Sequence, residues 1–207
     1  VQGMGHLRGR LRSNGEPRLV ALVNAVATKR LKTKGQRTIV EQTTGYPSQS
    51  PGAVGAQQLI MQGLTRTIRA AAEKTYECKV GPAHFVWPWM TRRSAFLIEM
   101  FHIKANGQTP HHGAVGSTYK GTTLKFAETT MFKPPVSPTD HMTGGRRERK
   151  SKSSWEKVIF LGQRYESDEF LIGTSTGVHL VREICRLPAE DQADKDLLST
   201  ITGAPWG

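Results

Sequence analysis

The sequence predicts an α/β fold in which a strand, a helix, a second strand, a long helix and a further helix are followed by a small β-rich C-terminal region. Three observations carry this. A short segment leads through Ser13-Asn14-Gly15-Glu16-Pro17 into a helical apolar stripe. A long amphipathic pattern covers residues 53 to 77, and beyond Lys120 the apolar residues come in short β-prone runs.

Leu7 to Leu11 is interrupted by Arg8, Gly9 and Arg10, and its place just before Ser13 is what marks it as a strand. Ser13-Asn14-Gly15-Glu16 has the form of a capping box, and Pro17 suits a first helical turn. Leu19, Val20, Leu22, Val23 and Val26 then give an apolar helical face through about Arg30. Thr38-Ile39-Val40 places a second strand within residues 36 to 42, closed by the turn-forming Gly45-Tyr46-Pro47-Ser48. In the long helix, Ile60, Leu64, Ile68 and Ala71 or Ala72 form the buried stripe, while Gly55 and Gly63 weaken it locally. A further helix is predicted from Val86 to Ile103, with Trp87, Trp89, Phe96 and Phe101 packing as core rather than stacking on bases. Expected β pieces are Thr122 to Phe132, Lys157 to Gly162, Phe170 to Gly173 and Gly177 to Val181. The expected organisation is a core-like region at 1–118, a small β-rich domain at 119–188 with a basic, solvated loop at 134–154, and a tail at 189–207.

Composition narrows the function classes. The chain has 207 residues and is 37% hydrophobic, enough for a modest core. Its 29 Lys and Arg against 17 Asp and Glu give +12, a surplus that favours a polyanionic partner such as nucleic acid. Cys78 and Cys185 stand far apart, which argues against a disulfide framework or a zinc site and fits reduced thiols in an intracellular, nonsecreted chain, nuclear or cytoplasmic. No apolar run reaches membrane-span length, and Val1-Gln2-Gly3 has no signal pattern, so the chain is expected to continue something longer. His111-His112 and His102 have no Cys or carboxylate at ligand spacing, and no metal is assigned to them.

Two motifs point further. Arg12-Ser13-Asn14-Gly15-Glu16-Pro17 is followed by Ser48-Gln49-Ser50-Pro51-Gly52-Ala53-Val54-Gly55, and eleven residues after Gly55 comes Arg66-Thr67. Further landmarks follow in order: Trp87-Pro88-Trp89-Met90, Gly107-Gln108-Thr109-Pro110, Tyr119-Lys120-Gly121, Phe126-Ala127-Glu128, Phe160-Leu161-Gly162 and Glu166-Ser167-Asp168-Glu169. Together these resemble the second half of a copia-type retrotransposon integrase core, whose motifs read R-S-D-x-E-P and S-x-S-N-G-x-x-E.

The resemblance implies a truncated ribonuclease-H-like core in which three carboxylates hold two divalent metal ions, with magnesium as the cofactor of active relatives. Here Asn14 stands at the expected Asp and Gly55 at the expected Glu, and the first carboxylate is expected to lie upstream of Val1. Magnesium wants hard, anionic oxygen ligands; a neutral amide and a missing side chain do not supply them. Glu16 is explained by its cap position. The expectation is therefore a fragment that is not an enzyme, holds no cofactor and retains nonspecific DNA binding. Two alternatives stand beside it: a segment of an active integrase, or integrase oligomer, whose missing carboxylates come from another chain, and a relic without function. Candidate phosphate contacts are Arg66 and Arg69, on the face of the long helix that carries Gly55 and Gln62, and Arg146, Arg147, Arg149, Lys150 and Lys152 in the loop. An ordinary solvated helix face or linker is the alternative for both sets.

Overall fold

The computed structural model describes residues 9–13, 15–42, 52–134 and 155–206, with the side chains of Lys34 and Ala53 left aside. Among these residues the chain is mixed α/β, and its contacts divide it into two compact units, Val1–Gln58 and Leu59–Gly207.

The first unit is a strand-helix-strand arrangement of β1 (Gly9–Ser13), α1 (Pro17–Lys34) and β2 (Thr38–Gln42), with the first turns of α2 (Gly52–Tyr76). β1 and β2 pair in parallel, Leu11 opposite Val40, and α1 packs on both. Pro17 opens α1 with its φ preset for the first turn, but Ser13 does not cap the helix. Glu16 occupies the N-cap without a side-chain cap bond, because Ser13 is still the last residue of β1. The helix runs one turn beyond the expected end at Arg30, since Gly35 supplies the left-handed stop at φ 61° and donates its N–H to the Leu31 carbonyl at 2.9 Å. Arg30 then ties this end to the next strand, donating to Thr38 Oγ1 at 2.8 Å and Gln36 Oε1 at 3.1 Å.

Only part of the apolar face expected of α1 is covered. Val20, Val23, Ala27 and Arg30 are the half-buried stripe, whereas Leu19, Leu22 and Val26 are exposed. Among the described residues between 9 and 42 only Ser13 is buried outright. Two parallel strands and one helix can sequester little apolar surface, which is why parallel sheets are ordinarily covered on both faces.

The second unit begins with the rest of α2, whose Leu64, Ile68 and Ala72 follow the predicted stripe inward and are continued by Tyr76, whereas Ile60, the expected first member, is exposed. It continues with α3 (Val86–Phe101) and α4 (Pro110–Val115). Five strands follow: β3 (Thr129–Phe132), β4 (Glu156–Gln163), β5 (Phe170–Thr174), β6 (Gly177–Val181) and β7 (Cys185–Arg186). They form one antiparallel sheet in the order β6-β5-β4-β3-β7. A 3-10 turn at Ala189–Asp191 and the short α5 (Lys195–Thr200) complete the unit.

β4 is the centre of this sheet and is buried on both faces. Ile159 and Leu161 pack in a core with Tyr76, Val86, Trp89 and Met90 from the helices and with Leu198 and Ile201 from the C-terminal segment. On the other face Val158 packs with Phe132 and Ile172. Each of these large side chains contributes roughly 1.5–3 kcal/mol by leaving water. The expected boundary near residue 118 therefore does not coincide with the structural division, because the core that α3 enters is shared with β4. Nor does the segment at 189–207 behave as a tail, because Leu198 and Ile201 lie in that same core. Of the aromatic residues assigned to the core, Trp89 and Phe96 are buried, Trp87 is partly covered and Phe101 is exposed.

Several sequence landmarks meet around one buried cation. Arg93, 2% exposed, donates to Gln163 Oε1 at 2.9 Å and to the Leu124 carbonyl at 3.1 Å, and lies 5.1 Å from the rings of both Phe96 and Phe160. Gln163 donates onward to the Thr122 carbonyl at 2.7 Å and to Tyr119 Oη at 3.1 Å, while the Tyr119 hydroxyl donates to the Asp168 carboxylate. A Cβ at Gly121 would collide with both members of that last pair. Burial lowers the Arg93 pKa to about 10, and raises that of Tyr119, whose neutral form also serves the bond to Asp168. Tyr119, Gly121 and Asp168 are thus joined as supports of the fold.

Candidate nucleic-acid interface

A surface that binds phosphate nonspecifically needs Lys and Arg side chains that reach solvent and are not already engaged by carboxylates. α2 holds two such side chains among the described residues, Lys74 in its last turn and the motif residue Arg66. Arg66 is exposed, and its Nε donates to the Gln62 carbonyl at 3.2 Å, so the guanidinium lies along the helix with no ion-pair partner among the described residues.

Arg69, one turn further on, is committed elsewhere. Its Nε donates to Glu73 Oε1 at 2.9 Å, and its guanidinium stands 5.4 Å from the Trp87 ring centre. Glu73 is itself fixed by the Val80 amide at 2.9 Å, with Lys79 Nζ at 3.9 Å. The Val80 N–H, followed by Arg69, holds the Glu73 carboxyl below its ordinary pKa. Arg69 therefore joins α2 to the start of α3, and a phosphate would have to compete with that carboxylate.

Gly55 sits in the first turns of α2, and beyond the helix's own backbone no heavy atom among the described residues lies within 4 Å of where a Cβ would be. Space for a side chain is present; the side chain is not. Asn14 and the run Arg146, Arg147, Arg149, Lys150 and Lys152 fall outside the described residues. Among the described residues no group of three or more His, Cys, Asp and Glu side chains could hold a metal ion. His111 and His112 lie at the start of α4, half-buried, with each Nδ1 lacking a hydrogen-bond partner among the described residues.

A second basic surface escapes an inspection made motif by motif. Residues 1–58 carry nine Lys and Arg and two Glu, so 9 − 2 places +7 of the +12 in about a quarter of the chain. Glu41 is engaged by Arg10 at 3.2 Å and Arg12 at 3.7 Å. Arg18, Lys29, Lys32 and Arg37 are exposed and form no ion pair among the described residues. Counting charge by segment is the signal that finds them, because they belong to no recognisable motif.

No protein-family model, curated protein or solved structure matches the chain.

What the arrangement offers is electrostatic: guanidinium and ammonium groups in solvent, able to exchange condensed counterions for contact with phosphates. No helix among the described residues is long and apolar enough to cross a membrane.

Proposed function

We propose that the chain is a catalytically inactive integrase-like fragment, the end of a truncated ribonuclease-H-like core followed by a β-rich region, which retains sequence-nonspecific binding to DNA. The observation that carries the binding reading is the charge imbalance of +12, concentrated where carboxylates are scarce. The inactive reading is supported by Asn14 and Gly55 at the two positions where the resemblance expects metal-binding carboxylates. Among the described residues no neighbouring side chain stands where one at Gly55 would begin, which is consistent with that reading. The parallel β1–α1–β2 unit, with Leu19, Leu22 and Val26 exposed, is compatible with a shortened core. A site of action on DNA would place the chain in the nucleus or wherever its nucleic-acid target resides.

Fluorescence anisotropy of a labelled DNA duplex across a salt series tests the proposal, with circular dichroism to establish folding. Saturable binding whose logarithm falls linearly with the logarithm of salt is expected, with a slope of roughly 0.9 per phosphate neutralised. A folded chain that does not bind, or binds with no salt dependence, overturns it.

A further inference from the structure

We infer that the outer face of α1, carrying Arg18, Lys29 and Lys32 with Arg37 just beyond its end, is the surface that contacts the phosphate backbone of duplex DNA. This rests on the DNA-binding reading above and gives it a location.

Helical geometry places the three side chains together. At 100° per residue, Lys29 lies about 20° and Lys32 about 40° to either side of Arg18. The packed stripe of Val20, Val23, Ala27 and Arg30 lies on the opposite side of the helix, about 120° to 200° from Arg18. The basic residues thus face away from the strands. Between them on the same face stand Ala21 and Ala25, both exposed and small, together with the exposed Leu22, about 40° from Arg18. From Arg18 to Lys32 the helix rises about 21 Å, which matches the length of about six base pairs of duplex.

Two features separate this face from an ordinary solvated one. Solvated helices usually intersperse both signs and gain from pairs at i, i+4; α1, from Pro17 to Lys34, contains no Asp or Glu at all. The cations in the last turns, Lys29 and Lys32 among them, complement the negative end of the helix dipole and would be explained by stability alone. Arg18 is not explained in that way. It sits in the first turn, at the positive end, where a cation opposes the dipole and where the carboxylate beside it, Glu16 at the N-cap, precedes the helix and makes no side-chain cap bond. A helix that accepts this placement presents one sign of charge along its whole outer face, as a polyanion would require.

The test compares three folded proteins on the same 20-base-pair duplex: the unaltered chain, the stripe variant Arg18→Gln/Lys29→Gln/Lys32→Gln/Arg37→Gln, and a control with the same charge removed from other exposed positions, Lys74→Gln/Lys104→Gln/Lys120→Gln/Lys195→Gln. Glutamine keeps side-chain length and helix propensity. The stripe variant is expected to raise Kd at least tenfold over the control at 100 mM salt and to flatten the salt slope by about two to four units. Equal affinity and slope in the two variants would overturn the location while leaving DNA binding intact. Failure of the unaltered chain to bind would overturn both. Should the fourfold stripe variant not fold, Lys29→Gln/Lys32→Gln carries the same comparison against Lys104→Gln/Lys120→Gln, with a slope change of about two units expected.

Discussion

Glu73 is the point where charge and fold are most tightly linked, since its carboxylate joins the Val80 amide, the Arg69 guanidinium and the more distant Lys79 ammonium. A carboxyl whose folded pKa lies below its unfolded one stabilises the protein at neutral pH. That contribution is present above the unfolded value and is lost as the pH falls through the folded value. Glu73→Gln keeps an acceptor for the Val80 N–H and removes the charge, so the variant is expected to be less stable than the unaltered chain at pH 7. The gap should close on acidification below the ordinary carboxylate range. Urea denaturation of both proteins at pH 7 and pH 3 measures it, and a gap of equal size at the two pH values would refute the assignment. The same geometry explains why Arg69 was readable in sequence only as one of two helix-face cations: its position on α2 follows from periodicity, whereas the Glu73 and Trp87 partners depend on how α2 meets α3.

At the level of elements, the docking of α5 on the sheet turns on one close approach. A Cβ on Gly173 of β5 would stand 2.7 Å from Cγ2 of Ile201, whose branched side chain has few rotamers into which to retreat. Gly173→Ala is therefore expected to destabilise the second unit by about 1–3 kcal/mol through overpacking. Paired with Ile201→Ala, which frees that space, the two losses should be less than additive in chemical denaturation; strictly additive losses would mean the two residues do not press on one another. The elements that could be read from sequence are those with long periodic patterns, α1, α2 and α3, and the strands β4, β5 and β6 with their continuous apolar residues. β7 is two residues long and α5 offers only Leu197 and Leu198 as apolar members, so neither has a period to recognise. The expected strand from Thr122 shortens to Thr129–Phe132 because Leu124 turns inward toward Arg93 and Ala127 takes a left-handed φ of 63° that breaks the extended run.

For the molecule as a whole, the two units differ in how completely their hydrogen-bonded elements are covered. β4 has a paired neighbour on each side and is buried on both faces along Val158–Gln163, whereas β1 and β2 among the described residues have only one another. Native-state hydrogen exchange is expected to be slowest at the amides of β4 and β5 and at least a hundredfold faster at those of β1 and β2, since local opening of the latter exposes little new apolar surface. Equal protection in the two sheets would show that β1–β2 is covered by something further. The candidate interface was only partly legible for a related reason: the motifs directed attention to α2 and to residues 146–152, while the run of uncompensated cations on α1 lies between motifs and needs the packed stripe of Val20, Val23 and Ala27 to show which side faces out. Finally, the Trp89 indole donates to the Gly203 carbonyl at 3.0 Å, and Leu198 and Ile201 share its core. On a ribosome, α3 would emerge more than a hundred residues before the segment that shields it, at about 5–20 residues per second. For several seconds of every synthesis the Trp89 and Met90 surface has no native cover, and that interval is when a chaperone has most to bind.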